Sequence, residues 1–287
     1  FALPAQELRP YVSAYSWTQL KPLPTRDWIE DILLPSWANV WIGDGSWEVC
    51  KMGDTEVQPA SRLSITGPTT QAGYFRSRGG RIWSIGLMPL GWASFFDVKA
   101  CDYANISSDG LADDAFSAFR PLSAALSASS GEFEEELALV EAHVAKIQLK
   151  QSSDEAMISA INEALIEPKL AAVNDLVDKT GLNIRTLERV SKRAFGFSPQ
   201  TLLRRQRFLR SLAKFMITPS SKWREVLDDQ YYDQAQFSRD FKIFMTMGPR
   251  EYAKRDRPIF DASVRAREAM LGKAVQALHS PDPSKSD

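Results

Sequence analysis

The sequence is poor in the residues that carry most metal and redox chemistry. Its 287 residues include two histidines, His143 and His279, and two cysteines, Cys50 and Cys101. With so few histidines, a histidine-rich metal site is excluded, and residues 1–105 contain none at all. For the cysteines, we expect two reduced thiols in a cytoplasmic protein, and a single disulfide remains the alternative.

Long apolar runs and enzyme motifs are also missing. No stretch of about 18 apolar residues is present, so we predict no membrane-spanning segment. We expect no secretion signal, because no basic segment followed by an apolar core stands at the start. The sequence has neither a phosphate-binding glycine loop nor a nucleophile elbow. An enzyme would need a reactive cysteine beside a base, and no histidine is near either cysteine in sequence, so we expect a non-enzyme without a cofactor.

Charge is distributed unevenly along the chain. The formal net charge is −1, yet residues 1–140 hold 10 Lys and Arg against 17 Asp and Glu. Residues 183–257 hold 17 against 8, a net charge of +9. A basic block on a nearly neutral chain indicates a domain that meets a polyanion. A basic surface that is merely solvated explains the same numbers equally well.

Residues 1–105 have the composition of a β-rich domain. Short segments rich in β-branched and aromatic residues alternate with Gly, Pro and Asp, which predicts a small barrel of cupin-like form. The predicted strands are Ile32–Leu34, Asn39–Ile42, Trp47–Met52, Arg62–Thr66 and Ile82–Leu87. Gly43, Asp44 and Gly45 predict a hairpin between the second and third of them.

Tryptophan is concentrated in this domain, with seven of the eight in the first 92 residues. The tryptophans could form the barrel core and a dimer surface. Alternatively, Trp17, Trp41, Trp47 and Trp83 could line a pocket for an apolar or aromatic small-molecule effector. Both interpretations stay open, as does the identity of any effector.

Helices are predicted from Leu111 onward. Apolar residues recur at spacings of four and three from Phe133 to Ile147 behind an acidic run, which predicts one apolar stripe on a helix. The stripe could pack on its own barrel, or the helix at 132–149 could pair with a second copy in a homodimer. The acidic pair Asp113 and Asp114 is predicted to cap a helix.

A polar break at 151–154 predicts the domain organisation. Residues 1–150 are predicted to form a sensor domain and residues 155–257 an all-α domain. A helix at Phe260–Leu278 and a disordered tail from Pro281 to Asp287 are predicted to follow. The predicted fold class is therefore α+β, with a small barrel in front and helices behind.

A helix, a tight turn and a second, capped helix are predicted between residues 170 and 199. Gly181 is placed for the left-handed exit of the first helix, and Asn183 can cap the second, which runs from about Ile184 to Phe195. The packed residues of the first helix are predicted to be Ala171, Ala172, Leu176 and Val177, and those of the second Leu187, Val190 and Ala194.

The second helix carries an outward polar stripe of Arg185, Glu188, Arg189 and Lys192 at i, i+3, i+4 and i+7. This stripe suits the major groove, since Arg pairs with guanine, carboxylate with cytosine, and Lys with phosphate. The alternative is a solvated face with an ion pair between Glu188 and Lys192.

A second unit of the same kind is predicted from Trp223, joined to the first by a helix at about 200–217 with one packed and one cationic face. Asp233 can cap its second helix, whose core stripe is Phe237, Phe241 and Phe244. Gln236, Arg239 and Lys242 lie away from that stripe, and Gln pairs well with adenine.

These motifs together resemble the arabinose-regulator (AraC-type) family of transcription factors. The resemblance lies in Asn183–Arg189, Gly196–Pro199 and Tyr232–Lys242. It implies two recognition helices placed in successive major grooves of double-stranded DNA, with RNA polymerase as a further possible partner. The residues expected to contact DNA are Arg185, Thr186, Glu188, Arg189, Lys192, Gln234, Gln236, Arg239 and Lys242. The front domain resembles, more weakly, the barrel sensor that often precedes this module.

The second unit departs from the family pattern. Gln230, Tyr231 and Tyr232 stand where its turn usually has glycine, and Gln236 replaces the common histidine. A non-glycine residue in a left-handed turn costs about 1 kcal/mol, which predicts a looser second unit. We therefore consider two main functions, a sequence-specific transcription regulator and a partner-binding or anti-regulator protein whose second unit no longer contacts DNA.

Overall fold

The computed structural model describes residues 1–21, 28–44, 47–50, 52, 57–218 and 222–280. The described strands lie between Val12 and Asp109, where the helix Pro89–Phe95 interrupts them, and helices form most of the structure that follows. The strands are β1 (Val12–Leu20), β2 (Ile29–Leu33), β3 (Asn39–Gly43), β4 (Trp47–Cys50), β5 (Val57–Pro59), β6 (Leu63–Thr66), β7 (Gly73–Ser77), β8 (Gly80–Leu87) and β9 (Ser107–Asp109). The α-helices are α1 (Pro89–Phe95), α2 (Arg120–Ala128), α3 (Phe133–Lys146), α4 (Glu155–Ile166), α5 (Val173–Thr180), α6 (Ile184–Val190), α7 (Pro199–Ile217), α8 (Trp223–Val226), α9 (Gln234–Met245), α10 (Pro249–Lys254) and α11 (Pro258–Leu271).

The strands form two antiparallel sheets that enclose a cavity. One sheet has the order β1-β8-β3-β6-β9 and the other β2-β7-β4-β5, so the predicted β-rich front domain is confirmed as an open, barrel-like pair of sheets. The hairpin predicted at Gly43 to Gly45 is wrong. The strands on either side of it, β3 and β4, belong to different sheets, so the chain crosses over there instead of turning back. Gly45 itself lies outside the described residues.

Alternation along the five-stranded sheet separates an apolar face from a polar one. Buried residues such as Tyr15 and Ile85 contribute to a cluster with α1, α2 and α3. Their neighbours in sequence, such as Ser16 and Ser84, line the cavity between the sheets. Because successive strand residues point to opposite faces, the sheet presents small hydroxyl groups to the cavity and its large apolar groups to the helices.

The apolar stripe of α3 packs against the barrel of its own chain. Val140 and Val144 are fully buried. Glu136, which belongs to the acidic run, is fully buried as well and accepts hydrogen bonds from the indole nitrogens of Trp17 (3.1 Å) and Trp83 (2.7 Å). This face is therefore occupied within the chain, and the homodimer interface predicted at residues 132–149 is not formed by the stripe.

The structure also bears on the helix cap predicted at Asp113, on the cysteines and on membrane-spanning segments. The carboxylate of Asp113 accepts a hydrogen bond from the amide of Ala115 (3.0 Å), which confirms the predicted cap. Cys101 is an exposed, free thiol, so it forms no disulfide. Within the described ranges, no helix has both the length and the apolar character needed to cross a membrane.

Arg205, on α7, joins the helical half to the barrel. Its side chain is fully buried, and Nη1 donates hydrogen bonds to the carbonyl oxygens of Ser36 (3.1 Å) and Thr69 (2.9 Å). Its guanidinium carbon lies 3.9 Å from the ring centroid of Trp37. Burial lowers the pKa of Arg205 to about 9. Residues of both halves share one buried apolar cluster around this contact, so the two halves pack as one core.

The segment that follows α10 covers one end of the cavity. The backbone amides of Ile259 and Phe260, at the start of α11, donate to the buried carboxylate of Asp31 on β2 (2.8 and 2.9 Å). The helix predicted at 260–278 is shorter than expected, because Gly272 adopts a left-handed φ of +62° and ends α11. The chain then inserts Gln276 against the barrel. The tail predicted at 281–287 lies outside the described residues.

Candidate nucleic-acid interface and ligand cavity

The first helix-turn-helix unit consists of α5 and α6. Gly181 ends α5 with a φ of +68°, and its amide donates to the carbonyl of Val177 (2.9 Å). The side chain of Asn183 accepts a hydrogen bond from the amide of Thr186 (3.0 Å) and caps α6. A φ near +68° is favourable for glycine, and the asparagine cap satisfies an amide that the helix leaves open. Both predicted signals of the turn are confirmed.

The packed face of α5 differs from the prediction. Leu176 is fully buried, but Ala171 and Ala172 are exposed and precede the helix. Their amides donate to the carboxylate of Asp175 (3.0 and 2.8 Å). The alanines therefore form the cap region of α5, because an acid in the first turn satisfies the free amides there.

Helix α6 continues into a π-helical turn at Ser191–Phe195, so the predicted helical segment from Ile184 to Phe195 is present. Arg185, Glu188 and Lys192 are exposed on its outer face. None of the three has a side-chain hydrogen bond or ion pair with another described residue, and the ion pair considered between Glu188 and Lys192 is not formed. These side chains are therefore available to a ligand.

Arg189, the fourth member of the stripe, is not available in the same way. Its Nη1 and Nη2 atoms donate to the two carboxylate oxygens of Asp154 at 2.7 and 3.0 Å. The Asp154 side chain is 7% exposed and that of Arg189 51% exposed. The hydrogen bonds from Arg189 lower the pKa of Asp154. To contact DNA with both nitrogens, Arg189 must first leave this pair.

The second unit consists of α8 and α9, and its turn avoids the strain expected from its sequence. Gln230, Tyr231 and Tyr232 all keep a negative φ, since the positive-φ residues other than glycine among those described are Asn105 and Thr246. The chain instead leaves α8 in an extended conformation at Leu227.

A longer turn, anchored by hydrogen bonds, replaces the glycine turn. The amide of Asp228 donates to the hydroxyl of Ser211 on α7 (2.8 Å), and its carbonyl accepts from the amide of Tyr231 (3.0 Å). The Gln230 side chain also donates to the carbonyl of Pro168, in the loop before α5 (2.8 Å). The backbone strain from which a looser second unit was predicted is therefore absent from this turn, and three separate contacts anchor the turn instead.

Helix α9 has the cap predicted for it. The carboxylate of Asp233 accepts from the amide of Gln236 (2.6 Å), and the Gln236 side chain accepts in return from the amide of Tyr232 (3.0 Å). Gln236 thus serves in the cap, whereas Gln234, Arg239 and Lys242 are exposed. These three side chains form no hydrogen bond or ion pair with other described residues, so they are the available polar groups of α9.

The arginines of α7 do not form the free cationic face that the sequence predicts. Arg204 and Arg207 both pair with Asp240 on α9 (2.5 and 3.1 Å), and Arg210 pairs with Asp228. Both carboxylates are buried. The charges therefore hold α9 and its turn against α7, and the sequence pattern missed this because the partners are 18 to 36 positions away.

The cavity between the two sheets has a volume of about 220 Å³. Its walls differ in character, with hydroxyl-bearing residues on one sheet and apolar residues on the other. The lining includes Ser16, Thr18, Thr66, Ser84 and Trp41 on the first sheet, and Ile32, Trp47, Val49 and Phe75 on the second. Phe260, Val264 and Arg267 from α11 and Gln276 behind it complete the lining.

Two of the four tryptophans predicted to line a pocket do so. Trp41 and Trp47 face the cavity. Trp17 and Trp83 lie on the opposite face of their sheet, where both donate to Glu136. Each of these two tryptophans is next in its strand to a residue that lines the cavity, so its own side chain points to the opposite face. The composition of the domain cannot show this, because it depends on the register of the strand.

The helical half of the chain matches a known family of domains. Residues 176–255 match the model of a family described as a helix-turn-helix domain. Residues 176–255 are an AraC-type helix-turn-helix domain. The predicted helix-turn-helix domain is therefore confirmed, and domains of this kind bind DNA.

Comparisons with whole proteins give weaker likenesses. No curated protein sequence matches the chain. Two solved structures of ToxT from Vibrio cholerae are similar to this chain, one determined at 1.65 Å resolution and one bound to (E)-4-(8-methylnaphthalen-1-yl)but-3-enoic acid. Each is 12% identical in sequence, and the similarity covers 83% of this chain and 97% of the ToxT chain with a TM-score of 0.46. A form bound to an unsaturated fatty acid has 12% identity, coverages of 84% and 94%, and a TM-score of 0.43. All these TM-scores are below 0.5, so the cavity is interpreted from its own residues.

Two of the exposed apolar side chains of the helix-turn-helix domain stand where a DNA contact is expected, and neither is among the residues predicted from the sequence to contact DNA. Tyr232, directly before the cap of α9, is 94% exposed, and Ile184, the first residue of α6, is 46% exposed. Both stand at the amino end of a second helix, where helix-turn-helix proteins contact base edges. The sequence signal that marks them is their position beside the caps Asn183 and Asp233.

Proposed function

We propose that this chain regulates transcription by binding specific duplex DNA through α6 and α9, and that a small molecule in the barrel cavity modulates this binding. In this proposal residues 1–150 are the sensor and residues 155–257 the DNA-binding part. RNA polymerase is the partner that a DNA-bound regulator would act on. The α3 homodimer is left out, because the stripe is already buried.

The observation that carries the proposal is the outer face of α6 in its helix-turn-helix setting. Arg185, Glu188 and Lys192 are exposed and unpaired on a helix that is capped at its start and anchored by buried Leu187 and Val190. Arginine forks onto guanine, a carboxylate accepts from the amino group of cytosine, and lysine neutralises phosphate. This combination supports base contacts by Arg185 and Glu188 and a phosphate contact by Lys192.

Helix α9 supports a second contact with DNA. Gln234, Arg239 and Lys242 are exposed, and its turn is fixed to α7. The connecting helix α7 has 19 residues, which at about 1.5 Å per residue gives roughly 28 Å. That length approaches the roughly 34 Å of one DNA turn, so it suits two contacts on one side of the duplex. Gln236 contributes through the cap instead of a free side chain.

The test is selection of bound sequences from a random pool of duplexes by the full chain. The proposal expects an enriched sequence, and Arg185→Ala is expected to cost roughly 1–3 kcal/mol on it and to relax one base position. Lys192→Ala should weaken all sequences alike. The matched control is Arg265→Ala, which removes an exposed charge on α11 outside the domain. Enrichment that is unchanged in Arg185→Ala would overturn the base contact, and sequence-blind binding would favour the partner-binding alternative.

A further inference from the structure

Two charged side chains line the cavity among the described residues, Glu48 on β4 and Arg267 on α11. Glu48 forms an ion pair with Arg76 (2.5 Å). Arg267 is 8% exposed. Its Nε and Nη2 atoms are buried and have no hydrogen-bond partner among the described residues. A guanidinium group removed from water without hydrogen bonds is costly, so its presence in this cavity needs an explanation.

The contrast with Arg205 shows what is missing at Arg267. Arg205 is also buried, but two carbonyl oxygens accept from it and Trp37 covers its face at 3.9 Å. Arg267 has no acceptor of this kind, and its ring neighbour, Phe1, is 5.9 Å away. Nε and Nη2 lack a partner in both arginines. The difference is that Nη1 of Arg205 has two acceptors, whereas the guanidinium of Arg267 forms no hydrogen bond to a described residue.

The charged groups near Arg267 favour the binding of an anion there. No described carboxylate forms an ion pair with it. Burial lowers the pKa of Arg267 to about 10. Burial, followed by the positive charges of Arg267, Arg9 and Lys273, lowers the pKa of His279 to about 4. Positive groups therefore gather beside Arg267 on the side of His279, and none of the described acids pairs with Arg267.

The rest of the cavity indicates the shape of the missing anion. Its volume of about 220 Å³ exceeds the roughly 150 Å³ of an engineered cavity that holds benzene. The wall of Ile32, Val49 and Phe75 is apolar. Trp47 lines the cavity, and its indole nitrogen is buried without a hydrogen-bond partner. A ligand that fits needs an apolar body, one acidic group for the guanidinium and an acceptor within reach of an indole donor.

We infer that the cavity binds an amphipathic carboxylate, a molecule with one carboxylate group and an apolar body, whose carboxylate pairs with Arg267. Guanidinium and carboxylate match in a planar, two-bond geometry, which favours this acid over a neutral alcohol. The inference names the effector class for the proposed function, and only its regulatory consequence rests on that function. Because α11 follows the helix-turn-helix domain in the chain, a ligand on Arg267 connects that domain to the barrel.

The test compares octanoate with 1-octanol, which has the same chain length and no charge, by calorimetric titration of the full chain. Octanoate should bind at least tenfold more tightly, as expected for a hydrogen bond to a charged group. In Arg267→Met the preference should disappear, and in the control Arg265→Met, on the exposed side of the same helix, it should persist. Equal binding of acid and alcohol, absence of octanoate binding, or a preference that survives in Arg267→Met would each overturn the inference.

A second measurement guards against misfolding of the variant. Without ligand, Arg267→Met should melt at a higher temperature than the original chain, because it replaces an unpaired buried charge with an apolar group of similar length. A lower melting temperature would mean that Arg267 is satisfied within the fold and would contradict the inference. DNA binding is measured separately, without ligand. Octanoate binding with no DNA binding would refute the proposed function alone, and the reverse result would refute this inference alone.

Discussion

Replacing Asp154 with asparagine should increase the affinity of the chain for DNA. Arg189 lies on the outer stripe of α6, but both of its terminal nitrogens are held by the Asp154 carboxylate at 2.7 and 3.0 Å. Any DNA contact that uses these nitrogens must first break that pair. An asparagine side chain is neutral and has one acceptor oxygen in place of the two that Arg189 contacts, so it should release Arg189 more easily.

The exposure of the pair sets the size of the effect. Since the Arg189 side chain is 51% exposed, solvent screening reduces the pair to about 0.5–1 kcal/mol, the range of partly exposed ion pairs. With about 1.4 kcal/mol for each tenfold change, release should tighten DNA binding by roughly two- to fivefold. The assay is fluorescence anisotropy with the DNA site obtained by selection.

Two controls separate release of Arg189 from a general loss of negative charge. Asp178→Asn removes an exposed acid from α5 of the same domain and should change affinity less than Asp154→Asn does. In the Arg189→Ala background, Asp154→Asn should have no effect beyond that of Asp178→Asn. If Asp154→Asn instead weakens binding, the pair orients Arg189 for DNA, and the gain expected from releasing Arg189 is refuted.

Three further predictions concern stability. Gly181→Ala should lower the free energy of unfolding, measured by urea titration, by about 1–2 kcal/mol, because Gly181 has a φ of +68° with open space around it. Gly181→Asn should lower it less in the same titration, and an equal loss in both variants would argue against backbone strain. Gly86→Ala would place a Cβ 2.7 Å from Nε2 of Gln276, so the C-terminal segment should become more sensitive to limited proteolysis, and unchanged cleavage would show that the segment tolerates the clash. Because burial lowers the pKa of His279 to about 4, the stability contributed by the neutral ring is complete above pH 6.5 and is lost towards pH 4, by up to about 3 kcal/mol. Burial raises the pKa of Asp31 to about 6, which has the opposite effect on stability over this pH range. The measurement is therefore the difference in the free energy of unfolding between the original chain and His279→Gln. A difference that does not vary with pH would contradict the assignment to His279.

The local signals of the helix-turn-helix domain were predictable from sequence because they depend on neighbouring residues. The glycine exit at Gly181 and the caps at Asn183 and Asp233 each act within three or four positions. The same applies to the cap at Asp113. Such contacts require only a residue type at a fixed offset, and a sequence shows both.

What the sequence could not show are contacts between distant segments. Asp154 meets Arg189 across 35 positions, and Arg204 meets Asp240 across 36. The sequence predicted that Arg189 and Arg204 would be free, and in the structure both form ion pairs. In the barrel, Trp17 and Trp83 point away from the cavity because of strand register, which depends on how β1 and β8 pair. Arg267 gave no signal in the sequence, since its burial depends on α11 folding back over the barrel.

The central claim is that α6 and α9 enter neighbouring grooves of one duplex. Hydroxyl-radical footprinting of the full chain on its selected DNA site tests this most directly. The account predicts two protected windows on one face of the duplex, their centres about 10 base pairs apart. The Arg185→Ala variant should lose one window. A single window with the original chain, or protection spread evenly along the duplex, would contradict the claim.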